Sequence, residues 1–81
     1  MTFQHIKDQD QAYILPTYGR VDAALVKGRN ARAWDVDGKE YIDFTAGIGV
    51  NALGYSDPEW VQAVAGQAGA IQHLCNYYYS P

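Results

Sequence analysis

The sequence predicts an α+β arrangement: a short antiparallel sheet followed by one helix. Three observations carry it. Asp37-Gly38 separates two runs of strand-forming residues, Ala23–Lys27 supplies a further strand-like run, and Pro58 opens a stretch with apolar residues at helical spacing.

In chain order, residues 4–14 read as a short polar helix or ordered arm, with Ile6, Tyr13 and Ile14 giving one thin apolar edge. Pro16 ends any helix there and pushes Leu15 towards extended geometry. Ala23–Lys27 follows as a strand, and Gly28 is expected to turn the chain into the hairpin, residues 31–44. Asp37-Gly38 suits a two-residue type I′ turn, because both central positions need positive φ. That closure pairs Val36 with Lys39, Asp35 with Glu40, Trp34 with Tyr41, Ala33 with Ile42, Arg32 with Asp43 and Ala31 with Phe44. One face then carries the apolar set Ala31, Ala33, Ile42 and Phe44. The other carries Trp34 over Tyr41 and Arg32 beside Asp43.

Thr45–Tyr55, with Gly47, Gly49 and Gly54, reads as a loop. A helix is expected over about 57–71. Ser56 and Glu59 have capping-box spacing, Asp57 is an alternative N-cap, and Pro58 suits the first turn. Val61, Val64, Ala65, Ala68 and Ile71 line one helix face. Gly66 and Gly69 weaken this helix, which suggests close packing on another element. Tyr77-Tyr78-Tyr79 needs a covering surface that no later residue supplies, as in a cut chain. The expected division is an arm or helix over 1–22 and an incomplete folded unit over 23–81.

Composition narrows the function. The 81 residues weigh 9.0 kDa, enough for one small domain or a piece of a larger one and too few for a complete multi-step enzyme. The net charge is −3, and the six basic residues stand singly, so no basic stripe favours nucleic acid. No apolar run is long enough to span a membrane, and Met1 to Gln11 lack a signal-like apolar stretch. Cys75 stands alone, which suits a reducing, cytoplasmic setting.

Individual motifs have plain structural readings. Gly47-Ile48-Gly49 lacks the third glycine of a dinucleotide fingerprint, Ala52 standing there, so tight turning is the simpler role. His73 and Cys75, with only the distant His5 besides, are too few for a zinc site, and Cys75 reads as a small buried thiol. Asp35, Asp37, Asp43, Asp57 and Glu59 have turn, pairing or capping roles. Tyr18 and Arg20, two apart on an extended segment, could together face a carboxylate substrate.

The order of features is itself informative. Tyr18-Gly19-Arg20, the run from Val26 through Trp34-Asp35-Val36-Asp37-Gly38-Lys39-Glu40-Tyr41-Ile42-Asp43-Phe44, Gly47-Ile48-Gly49-Val50-Asn51-Ala52-Leu53-Gly54, and His73-Leu74-Cys75-Asn76-Tyr77 resemble the amino-terminal segment of class III pyridoxal-phosphate aminotransferases, most closely the acetylornithine branch. The resemblance spans residues 13–81. It implies part of the small domain of a fold-type I α/β enzyme, a homodimer, and transfer of an amino group between N-acetylornithine and 2-oxoglutarate in arginine biosynthesis. It also implies substrate-site roles for Tyr18, Arg20, Ile48, Gly49 and Asn76. Ile48 stands where ornithine-specific relatives carry a tyrosine, which suits an acylated, uncharged distal group. Cys75 replaces the family's serine, and Tyr55 its usual histidine.

The same resemblance places the cofactor lysine, the pyridine-nitrogen aspartate and the phosphate cup beyond residue 81. Lys7, Lys27 and Lys39 lie in polar contexts that suit none of these roles. No catalytic residue is therefore expected in this segment, and its partners are the remainder of its own chain, a second subunit, and amino-acid and 2-oxo-acid substrates. The alternatives are a related ornithine, succinylornithine or 4-aminobutyrate aminotransferase, or a truncated, non-enzymatic interaction module docking through its apolar hairpin face and its tyrosine tail.

Overall fold

A computed structural model describes residues 1–81. Helix α1 (Phe3–Tyr13) starts at Thr2, whose hydroxyl accepts the His5 N–H at 3.2 Å and satisfies one orphan donor of the first turn. It ends at Ile14, ahead of Pro16. The following segment returns along the helix, fastened by Lys7–Asp22 at 2.9 Å and Arg20–Asp10 at 3.1 Å.

Strands β1 (Leu25–Arg29), β2 (Arg32–Asp35) and β3 (Glu40–Ile42) form the antiparallel sheet that the sequence predicts, in the order β1-β2-β3. Two details differ. Gly28 does not turn the chain; it lies inside β1 opposite Ala33, and the turn falls at Asn30-Ala31, with Asn30 at φ 52°. Asparagine tolerates that left-handed conformation, which frees the glycine for the strand.

The second difference is register. Trp34 pairs with Glu40, Ala33 with Tyr41 and Arg32 with Ile42, one residue away from the two-residue closure. The Asp35 N–H donates to the Lys39 carbonyl and the Gly38 N–H to the Asp35 carbonyl, both at 3.0 Å. Only Gly38, at φ 86°, adopts positive φ, so the connection is a type I turn closed by a left-handed glycine. The Asp35 side chain decides this, because its Oδ1 accepts the N–H groups of Asp37 and Lys39, each at 2.9 Å.

A one-residue slip exchanges the faces of a strand. Ala33, Asp35 and Tyr41 consequently share one face, and the expected Ala31/Ala33/Ile42/Phe44 patch does not form. Ile42 and Phe44 remain exposed. Arg32 pairs with Glu40 at 2.9 Å instead of Asp43, and Trp34 lies beneath the Lys27 ammonium at 4.8 Å instead of over Tyr41.

After a loop containing the one-turn α2 (Ala46–Gly49), helix α3 (Pro58–Ala70) falls within the expected range. Asp57 caps it by accepting the Trp60 N–H at 3.0 Å, with Pro58 at the start. The capping box does not form. Ser56 sits at φ 56°, and its hydroxyl donates to the Gly28 carbonyl at 2.9 Å.

The elements cover one another little. Neither α1 nor α3 packs on the sheet, and only Ala33 and Asp35 are buried. The accessible surface is 7439 Å², against about 4,900 Å² for a compact monomer of this mass. The radius of gyration is 16.9 Å, against about 12 Å for a compact domain. The α3 face with Val61 and Val64 is exposed, as is Ile71 just past its end; Gly66 and Gly69 meet no packing neighbour in this chain, and Tyr77 to Tyr79 are uncovered. No helix is long and apolar enough to cross a membrane.

Candidate functional site

The expected site residues fall into three places. Tyr18 and Arg20 line one groove of about 360 Å³ between α1 and the returning segment, with Phe3, Ile6 and Asp10. There the Arg20 guanidinium already engages Asp10 through Nε. Arg20 also reaches a second groove, lined by Tyr41, Asp43, Phe44, Thr45 and Tyr55. Ile48 and Gly49 project from α2, and Asn76 lies in an exposed turn closed by the Tyr78 N–H on the Cys75 carbonyl. Neither groove that Arg20 lines includes Ile48, Gly49 or Asn76. Cys75 is exposed, contrary to the buried thiol expected, in a stretch over 71–81 whose residues are exposed apart from the half-buried Leu74.

The α2 turn has unusual geometry. Ala46, Gly47, Ile48 and Gly49 all have positive φ, at 50°, 61°, 60° and 80°. Each non-glycine residue in this left-handed region costs roughly 1–2 kcal/mol, and a β-branched side chain there is an outlier. Asp43 opposes that cost. Its Oδ1 accepts the Thr45 N–H at 2.8 Å, the Ala46 N–H at 3.0 Å and the Thr45 hydroxyl at 3.1 Å. The Gly49 N–H donates to the Thr45 carbonyl at 3.0 Å, and the Asn51 N–H to the Ala46 carbonyl at 2.8 Å. The product of this scaffold is an isoleucine, Ile48, left 96% exposed.

The electrostatics follow these bonds. Hydrogen bonds from the Thr45 and Ala46 N–H groups, with smaller help from Tyr55 and the Thr45 hydroxyl, outweigh burial and hold the Asp43 carboxyl below its ordinary range. Interaction with Asp43 raises the Tyr55 phenol. At the hairpin, burial opposes ionisation of Asp35. Bonds from the Lys39 N–H, the Tyr41 hydroxyl at 2.9 Å and the Asp37 N–H overcome it, so this carboxyl is also lowered. Tyr41 is raised by the same bond to Asp35.

Tyr55 ties the two regions together. Its N–H and carbonyl exchange hydrogen bonds with Asn30 at 2.8 and 2.9 Å, and its ring lies against Gly28. Sequence reasoning gave Asp43 a cross-strand pairing role and missed its work in the turn. The usable signal was the Asp43-Phe44-Thr45 spacing, in which an aspartate can bond the backbone two residues on.

The aminotransferase class-III family model matches residues 13–81. The acetylornithine aminotransferase of Haemophilus ducreyi is 46% identical over 80 residues, covering 99% of this chain and 20% of that protein. The ornithine aminotransferase of Toxoplasma gondii superposes with a TM-score of 0.94 at 28% identity, over 100% of this chain and 19% of that one. The acetylornithine aminotransferase of Elizabethkingia anophelis shares the fold, with a TM-score of 0.96 at 23% identity over 100% and 21% of the two chains. The chain thus spans about a fifth of the length of the proteins it matches. With the family model matched over residues 13–81, the chain belongs to the class-III aminotransferases.

Proposed function

We propose that these residues are the amino-terminal segment of an acetylornithine-type aminotransferase. The whole protein transfers an amino group from N-acetylornithine to 2-oxoglutarate, in arginine biosynthesis, as a cytoplasmic homodimer. Residues 1–22 serve as an arm and residues 23–81 as the beginning of the small domain. Tyr18, Arg20, Ile48, Gly49 and Asn76 line the substrate site once the rest of the protein is in place.

The observation that carries this reading is the likeness along nearly the whole chain to the Haemophilus ducreyi enzyme. The bare α3 face and Tyr77 to Tyr79 support it, since the whole chain exposes more surface than a self-contained domain of its mass. The exposed aliphatic Ile48 supports an acylated over a charged distal group, because a buried ammonium without a partner is costly.

Pyridoxal phosphate supplies the amino-transfer chemistry in this reading, but the residues present do not fit it. Lys7 is paired with Asp22, Lys27 lies over Trp34 and Lys39 over Tyr41 at 5.0 Å. None is desolvated in a pocket of the kind that activates a lysine. The cofactor is accordingly assigned to residues outside this segment.

Two measurements test the reading. The coding frame past Pro81 should continue for several hundred codons and include a lysine in the family's cofactor context; an immediate stop overturns it. The full-length product should use N-acetylornithine in preference to ornithine. The reverse preference favours the ornithine branch.

A further inference from the structure

We infer that Asp43 is a positioning residue for substrate selection, acting through the left-handed turn that presents Ile48; this rests on the functional reading above. Four consecutive residues with positive φ, two of them not glycine, do not arise from local preference. They persist only where the surroundings over-determine them. Here a single carboxylate oxygen accepts three hydrogen bonds from Thr45 and Ala46, at the entrance to the turn.

The result works against folding of this chain, since Ile48 is held 96% exposed. A strained backbone that displays an apolar side chain is accounted for when that side chain meets something the segment lacks. The distal end of an acylated amino donor has the matching chemistry at its terminal methyl, which is apolar, and it carries no ammonium charge to desolvate. Gly47 completes the device. A Cβ there would come 3.1 Å from the Asn51 amide, and its φ of 61° already disfavours a side chain. Asp43 touches no substrate in this scheme; it fixes where Ile48 stands.

The test compares N-acetylornithine with ornithine in the full-length protein. Asp43→Asn keeps an acceptor oxygen at the same place and should leave both KM values within about twofold, whereas Asp43→Ala should raise KM for N-acetylornithine about tenfold with kcat within about threefold. Ile48→Gly adopts the turn without strain, so the thermal midpoint should rise while preference for the acylated donor falls about tenfold. Thr45→Val removes only the hydroxyl bond and should raise KM about threefold, which keeps the idea testable if Asp43→Ala does not fold. Unchanged KM in Asp43→Ala, or in Thr45→Val where the first is unfolded, overturns the positioning role. So does a fall in kcat with KM unaltered. If the natural protein transaminates neither donor, the functional reading fails first and the inference falls with it.

Discussion

The ring of Tyr55 lies directly on the backbone of Gly28, so close that a Cβ at residue 28 would stand 2.5 Å from Tyr55 Cγ. The glycine is therefore a seat for an aromatic ring in the middle of a strand, and the ring brings the α2 loop to the sheet. Gly28→Ala should destabilise the intact protein by about 1–3 kcal/mol, the usual range for overpacking. Tyr55→Ala removes the obstacle, so Gly28→Ala should cost much less in that background. Denaturation midpoints of the two single variants and the double variant check this, and additive effects would refute the seat.

Two carboxylates and two phenols set the pH limits of the hairpin and turn. Asp35 and Asp43 are lowered in the folded state. Their stabilising effect is complete above the ordinary aspartate value and is lost as pH falls through the folded values. Tyr41 and Tyr55 are raised, so their effect is present below the ordinary phenol value and disappears as pH rises through the folded ones. Protection of the Asp37, Lys39, Thr45 and Ala46 amides, taken relative to intrinsic exchange at each pH, should hold at about pH 5 and fall below about pH 4, where unfolded aspartates protonate. Protection of these four amides that is unchanged down to about pH 2 would contradict the assigned bonds.

Local rules made much of the fold legible. Asp37-Gly38 announced a hairpin, and Asp57-Pro58 announced a helix start, because each is short-range chemistry acting on neighbouring residues. What the same rules missed was choice between close alternatives. The Asp35 carboxylate, by capping its own turn, selected the three-residue connection over the two-residue one and so turned β3 over relative to β2. The role of Gly28 depended on Tyr55, 27 residues away, which no local pattern registers. The site residues were recognisable only through family resemblance, since the groove that Tyr18 lines beside α1 includes neither Ile48 nor Asn76.

Gly38 tests the revised turn. At φ 86° it alone in the connection needs the left-handed region. Gly38→Val should destabilise the hairpin by roughly 1–2 kcal/mol or more, and Gly38→Asn should cost distinctly less. Asp37, whose φ is negative, should tolerate alanine with little change. A type I′ turn would instead penalise alanine at both positions, so thermal midpoints of the three variants separate the two geometries.

At α3 the two capping schemes also make different forecasts. Asp57 accepts the Trp60 N–H, whereas Ser56 is turned away at φ 56° and donates to Gly28. Asp57→Ala should lower stability by about 0.5–2 kcal/mol, while Asp57→Ser should retain most of it. Glu59→Gln should have a small effect, limited to its favourable charge in the first turn. Ser56→Gly relieves a left-handed serine but removes its bond to the Gly28 carbonyl, so these opposing effects should leave a change smaller than that of Asp57→Ala. If Ser56→Gly proved the more damaging of the two, Asp57 would not be the residue that starts this helix.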